Sequence, residues 1–284
     1  MEYKIIEAKD DPQLFIDIYN RHVKYAPYTA KLDAQMFNRH IIGFRDESRC
    51  LICVSENRYG IIHFAAQTNY SGKHEGMIYT LITDTNQIAL ELIIIAEKWF
   101  KEKKLNKTVA YIGGETPYSY ILHGFEPYCW AGNYPANNAF NKMGYDVDLD
   151  VIVMSMDLKH HSVVLKNELT EKIVRDDDLA IAGEFSAYKD GVRLGFCGYH
   201  YLKAVSVGLN KKLGQINIWS NEAVHGTGLA QEMMVSTHNA LVKLGVSRAI
   251  LTTNQSLFRA VKFYEKLGYT AEPIKGYSYS KEFV

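Results

Sequence analysis

The sequence predicts an α/β (α+β) chain made of two tandem copies of one plan. Two observations carry this. A strand, a long helix and a second strand follow one another twice, at residues 77–83, 86–104 and 108–112, and again at 214–219, 228–244 and 248–253. Each series leads to a similar hexapeptide: Phe140-Asn141-Lys142-Met143-Gly144-Tyr145 is echoed by Tyr264-Glu265-Lys266-Leu267-Gly268-Tyr269. The final tyrosines stand 124 residues apart, a domain-sized period. Two domains are expected, 1–158 and 159–284, joined at 157–162.

Taken in order, residues 3–7 read as a strand, and 12–23 and 32–42 as helices separated by the turn-prone Ala26-Pro27. Strands at 50–55 and 60–67 flank Glu56-Asn57-Arg58-Tyr59. In helix 86–104, Ile88, Leu92, Ile95 and Trp99 share one face, and Lys101, Lys103 and Lys104 crowd the C-terminal turns, where they suit the dipole. Residues 113–138, rich in Gly, Pro and Tyr, form an irregular insertion that the second copy lacks, and 151–158 closes the first half as a strand. Strands at 179–188 and 192–201 flank the hairpin signal Lys189-Asp190-Gly191. Gln215-Ile216-Asn217-Ile218-Trp219 alternates as a half-buried strand. Leu229, Met233, Thr237, Leu241 and Leu244 recur at helical spacing before a capping Gly245. A helix at 256–267 ends at Gly268, and 277–283 is the last strand.

Among 284 residues, 32 Lys plus Arg balance 32 Asp plus Glu, so no basic excess argues for nucleic acid. Cys50 and Cys53 form a lone C-x-x-C with no second pair to complete a zinc site, and no metal is expected. Paired His160-His161 at the joint reads as solvated linker. The N-terminus lacks a signal-peptide core, and the longest apolar stretch, around 92–96, is too short to span a bilayer. The expectation is a cytoplasmic protein with no membrane partner.

Between strand 214–219 and the next helix lies Ser220-Asn221-Glu222-Ala223-Val224-His225-Gly226-Thr227-Gly228-Leu229-Ala230. Gly226 and Gly228 let the backbone approach a ligand, and the unpartnered N–H groups of a helix start attract phosphate. A plain chain reversal is the other reading of such a turn. A P-loop would need Gly-Lys-Ser/Thr. A dinucleotide fingerprint would need a third glycine at position 231, where Gln stands, and a later acidic residue, yet none lies between Glu232 and Glu265.

The stretch His225 to Ala230 resembles the pyrophosphate loop of the GNAT superfamily of acyl-CoA-dependent N-acyltransferases, Gln/Arg-x-x-Gly-x-Gly/Ala. Gly228 and Ala230 match, and His225 stands where Gln or Arg is usual. Phe263-Tyr264-Glu265-Lys266-Leu267-Gly268-Tyr269 looks like the family's Leu-Tyr-Glu-Lys-Leu-Gly-Phe, with Ala260 in place. The family's asparagine is replaced by Leu257, with Asn254 one turn earlier. The resemblance covers nearly the whole chain. It implies tandem GNAT-like domains with a degenerate N-terminal copy, each a mixed, mostly antiparallel sheet flanked by helices.

The resemblance further implies acetyl-CoA as co-substrate, held by Trp219, Ser220, His225, Gly226, Thr227, Gly228, Leu229, Ala230 and Asn254, with Tyr264 protonating the departing thiolate. A half-buried structural tyrosine is the other reading of Tyr264. Strand 214–219 carries no carboxylate, so the general base stays open. The implied activity is transfer of acetyl to a primary amine of a small molecule by direct attack; the alternative is a non-catalytic binding or sensor module. In the first copy, Asp84-Thr85-Asn86 offers no glycine, Asp84 or Thr85 can cap the helix, and Phe140 stands where Tyr264 does. That copy is expected neither to bind CoA nor to catalyse. The insertion's Tyr118, Tyr120, Tyr128, Trp130 and Tyr134 either line the acceptor cleft or pack under a long loop.

Overall fold

A computed structural model describes residues 2–44, 47–69, 72–111, 116–118, 122–124, 128–161 and 166–283. Tyr120, much of the insertion and residue 162 of the expected joint lie outside the described residues. In chain order the first half gives β1 (Lys4–Glu7), α1 (Pro12–Val23), α2 (Ala34–Met36, running on into a π-helical Phe37–Ile42), β2 (Ser48–Ser55), β3 (Arg58–Thr68) and β4 (His74–Thr83). It continues with α3 (Asn86–Glu102), β5 (Lys107–Ala110), β6 (Cys129–Trp130), α4 (Tyr134–Lys142) and β7 (Asp146–Asp157). The second half gives β8 (Thr170–Asp176), β9 (Ala180–Lys189), β10 (Val192–Leu202), α5 (Lys203–Leu209), β11 (Leu213–Ser220), α6 (Leu229–Lys243), β12 (Arg248–Asn254), α7 (Phe258–Lys266) and β13 (Thr270–Glu282).

The chain forms two compact units: Met1–Ser119 with Glu126–Val151 and Ile274–Val284, and Tyr120–Phe125 with Ile152–Pro273. In the first, β1 to β4 are antiparallel neighbours and β4 runs parallel to β5. Strand β13 completes the sheet beside β5, Tyr279 opposite Ala110 and Glu282 opposite Lys107. Leu92, Ile93, Ala96 and Phe100 of α3 pack on Leu51, Ile62, Phe64 and Leu81. Lys281 of β13 reaches back to Glu97 of α3 at 2.7 Å. The second unit repeats the order: β8, β9, β10 and β11 are antiparallel, and β11 runs parallel to β12. Met233, Met234 and Leu241 of α6 meet Tyr199, Ile216, Leu251, Tyr264 and Tyr269.

The fold is the mixed, mostly antiparallel sheet flanked by helices that was expected, but its division differs from a cut at 158. The last strand, assigned to the second domain from its place in the chain, hydrogen-bonds into the first unit's sheet from residue 274 on. Sequence reading also missed β8 and α5, as well as the two-residue β6 within the insertion. Strand β8 is an exposed edge with charged residues at most positions, so it carries no clean apolar alternation, and α5 spans only 7 residues. The irregular insertion proves to contain the start of α4, which Pro135 opens. The predicted hairpin stands, Asp190 and Gly191 taking φ of 51° and 77° as a type I′ turn requires. Among the described residues, no helix is long and apolar enough to cross a membrane.

Candidate active site

Strand β11 pairs with β12 from Leu213 opposite Arg248 to Gln215 opposite Ile250. Beyond that point residues 216–220 remain paired with β10, so the two parallel strands splay into a wedge. Ser220 and the half-exposed Trp219 stand at the mouth of the wedge on β11, and Asn254 ends β12, the strand across it.

The loop after β11 is folded tightly on itself. Asn221 accepts the Ala223 N–H at 2.9 Å and starts a 3₁₀ turn, Glu222–Val224. Thr227 donates its hydroxyl to the Val224 carbonyl at 2.7 Å. Gly226 and Gly228 take φ of 80° and 90°, where a side chain would be strained, and nothing lies within 4 Å of either Cβ position. Gly228 therefore starts α6 without a side-chain cap. The N–H groups of Gly226, Gly228 and Ala230 donate to no described residue. These donors lie at the positive end of a 15-residue helix, an arrangement that favours an anion. His225 and Thr227 are exposed on the same loop, while Leu229 is buried and roots it in the core.

The one acidic residue in the helix's first turn is turned away from this use. Glu232 is buried, and its Oε2 accepts the N–H groups of Lys166 (3.1 Å) and Asn167 (3.0 Å) and the Asn167 side-chain amide (3.0 Å). Burial opposes its charge, but these hydrogen bonds prevail and hold the carboxyl below the usual range.

Tyr264 lies on α7, 8% exposed, in the same apolar cluster as Leu229, with Phe263 and Tyr269 rings beside it. Burial, then the nearby Cys197 thiol, push its hydroxyl up to about 12; burial, against a lowering hydrogen bond with Thr237, takes Cys197 to about 12 as well. Asn254 is partly committed, since its Oδ1 accepts the Ser256 N–H (2.9 Å) and hydroxyl (2.8 Å) and shapes the turn into α7.

The first copy has the same wedge, and it is filled. Gly76 and Gly214 are equivalent, a Cβ at either coming within 2.8 Å of Phe100 on α3 or Leu241 on α6. The strand ends match too, with Asp84 N–H on the Tyr59 carbonyl and Asn221 N–H on the Leu194 carbonyl. Leu81 therefore corresponds to Ile218. Strands β4 and β5 also part after three pairs, Gly76–Thr108 to Ile78–Ala110. There Tyr111 leaves the strand with φ of 54°, and its hydroxyl bonds both the N–H (2.6 Å) and the carbonyl (2.9 Å) of Leu81; the Asn133 amide adds a third bond at 2.9 Å. In the second copy the smaller Thr252 stands in Tyr111's place. Thr85, not Asp84, caps α3, accepting the Ile88 N–H at 3.3 Å, while Asp84 accepts the Tyr59 N–H.

Among the described residues of the insertion, Tyr118 and Tyr134 lie in unlike surroundings. Tyr118 is buried in the first unit, stacked on Tyr19 and 3.1 Å from His63 Nδ1, and Tyr134 is exposed. Only the stretch around Leu122–Gly124 joins the second unit. All four cysteines are free and buried, and no group of side chains among the described residues is placed to hold a metal ion. His161 exchanges two bonds between its backbone and the Asn239 amide.

Residues 156–269 match the model of the acetyltransferase (GNAT) family. No curated protein matches the sequence. Among solved structures, a tandem GNAT protein from the clavulanic acid biosynthesis pathway is similar at a TM-score of 0.69 and 12% identity, covering 99% of this chain and 98% of that one. A GCN5-related glucosamine N-acetyltransferase region of a fungal multi-domain GH3 β-N-acetylglucosaminidase gives 0.72 and 13%, covering 99% of this chain and 38% of the fungal one. A GCN5-related N-acetyltransferase from Sphaerobacter thermophilus gives 0.59 and 12%, covering 99% and 95%. Residues 156–269 thus resemble the acetyltransferase (GNAT) family, and as a whole the chain has the fold of a tandem GNAT protein.

Proposed function

We propose that the second copy transfers an acyl group, most simply acetyl, from CoA to a primary amine of a small molecule by direct attack. The observation that carries this is the union of an uncapped helix start, with its free N–H groups at Gly226, Gly228 and Ala230, and an open wedge between β11 and β12. In this reading the loop from His225 to Ala230 takes the pyrophosphate. Ile218, Trp219 and Ser220 offer backbone groups to the pantetheine arm, and Asn254 borders it from β12. Tyr264 then returns a proton to the thiolate as the tetrahedral adduct collapses. The first copy serves as scaffold, since its wedge is taken by Tyr111 and its helix start by Thr85.

Thermal melts with and without acetyl-CoA test the donor site. At ~100 times its dissociation constant the ligand adds about 2.7 kcal/mol of stability. Tyr264→Phe is expected to keep that shift while lowering turnover by about 10²- to 10⁴-fold. Unchanged turnover would remove Tyr264 from the mechanism, and the absence of any shift would sink the donor assignment.

A further inference from the structure

Strand β11 has a second face. Ile216 and Ile218 turn into the α6 core, so Gln215, Asn217 and Trp219 alternate onto the opposite side. Register sets His200, Gly198 and Phe196 of β10 beside them, and Ala182, Glu184 and Ser186 of β9 next. In the first copy α1 and α2 intervene between the first two strands; here β8 ends at Asp176 and β9 begins at Ala180, with no helices between.

Orphaned polar atoms collect on this face. Both amide atoms of Gln215, which is 0% exposed, together with Oδ1 of Asn217 and Nε of Arg193, are enclosed without a hydrogen-bond partner among the described residues. Buried amides in folded proteins are nearly always paired, so four such atoms on one face point to an occupant that pairs them. Gly198 leaves room between Asn217 and Glu184, and a Cβ there would overlap the Asn217 amide oxygen. The face grades from sealed at Gln215, through half-buried Asn217, to Trp219 at 48% exposure, with Phe196 at 6.3 Å from its ring.

We infer that this face is the acceptor subsite of the transfer proposed above, on which it rests, and that it takes a primary amine carried on an uncharged, hydroxyl-rich ring: an amino sugar. Its charges cancel. Arg193 pairs with Glu184 at 2.5 Å and bonds Ser186 at 2.8 Å, which leaves no net anion for the second ammonium of a polyamine and no free cation for a carboxylate or phosphate. His200 stays neutral as well, held down to about 4 by burial and by Arg175. Amides offer donor and acceptor side by side, as hydroxyls require. Trp219, half exposed, gives an aromatic flank for the C–H face of a ring, while the Arg193 guanidinium lies 4.3 Å over the neighbouring Phe196 ring.

The test compares D-glucosamine, spermidine and glutamate as acceptors with acetyl-CoA, read by CoA release. Glucosamine is expected to lead in kcat/KM by at least about 10-fold, equivalent to ~1.4 kcal/mol. Gln215→Leu and Asn217→Leu should each raise KM for glucosamine about 10-fold or more, and leave the acetyl-CoA melt shift intact. Gly198→Ala, which displaces the Asn217 amide, should do the same without altering either side chain. Preference for spermidine or glutamate, or an unmoved KM in all three variants, overturns the assignment. Calorimetric titration of glucosamine into the wild type separates the two readings. An intact acetyl-CoA shift with no glucosamine heat defeats this subsite alone, whereas glucosamine heat lost in Gln215→Leu supports the subsite even if the acetyl-CoA shift is missing and the donor assignment falls.

Discussion

The Tyr111 hydroxyl accepts the N–H of Leu81 at 2.6 Å and donates to its carbonyl at 2.9 Å. One side chain thus satisfies both backbone groups that the parting of β4 and β5 would leave bare. The buried phenol, raised well above its ordinary value chiefly by desolvation, stays protonated and keeps its donor. Tyr111→Phe should destabilise the protein by about 1–3 kcal/mol, because the enclosed Leu81 N–H loses its partner, whereas the Leu81 carbonyl keeps the Asn133 amide. Urea unfolding measures this. The acetyl-CoA melt shift is expected to be unchanged, as the donor loop lies in the other unit.

Gly228 is the position in the donor loop least able to accept a side chain. At φ of 90° a β-branched residue is strained, and relaxing it would swing the α6 N–H groups away from a phosphate. Gly228→Val should weaken acetyl-CoA binding by at least about 10-fold, or ~1.4 kcal/mol, read from the concentration dependence of the melt. His225→Arg, on the exposed turn before it, is expected to act oppositely and modestly, tightening binding by about 2- to 5-fold through a permanent charge. Equal affinity in all three proteins would place the phosphates elsewhere.

What the sequence carried was local: the alternation of 215–219, the helical spacing of α6, and two glycines set where only glycine is unstrained. These placed the loop and the repeated plan. What it did not carry depends on partners remote in the chain. No local signal says that Tyr279 will lie opposite Ala110, or that Tyr111 will turn left-handed and close a wedge. Gln215 looked like one more polar residue on a half-buried strand. Its meaning appears only once register sets it beside His200 on a face that also carries the unpaired amide oxygen of Asn217.

Glu232 ties pH to stability. Its carboxyl is held below the unfolded-state value, near ~4.3, so its contribution is present above that pH and is lost as pH falls through the folded value. Replacing it with glutamine removes a charged acceptor from three N–H donors and should cost about 1.5–3 kcal/mol at neutral pH. The gap between wild type and Glu232→Gln in urea midpoints should close as pH falls below about 4. A gap constant with pH would mean the carboxylate charge is not what holds residues 166–167.

The last strand sets the condition for separating the copies. A fragment of residues 1–158 keeps α3 and its apolar face but loses the strand that pairs with β5 and the ammonium of Lys281 that meets Glu97 at 2.7 Å. Glu97 is buried, and a buried carboxylate left without its cation is strongly destabilising. The strand edge of β5 would also be bared, which invites aggregation. The fragment is therefore expected to be poorly folded, with a broad or absent thermal transition by circular dichroism. Joining residues 270–284 to its end through a flexible linker should restore a cooperative melt, and Lys281→Ala in that joined fragment should lower it again. A sharp transition in the plain 1–158 fragment, matching the joined one, would show that the final strand is dispensable to the first unit.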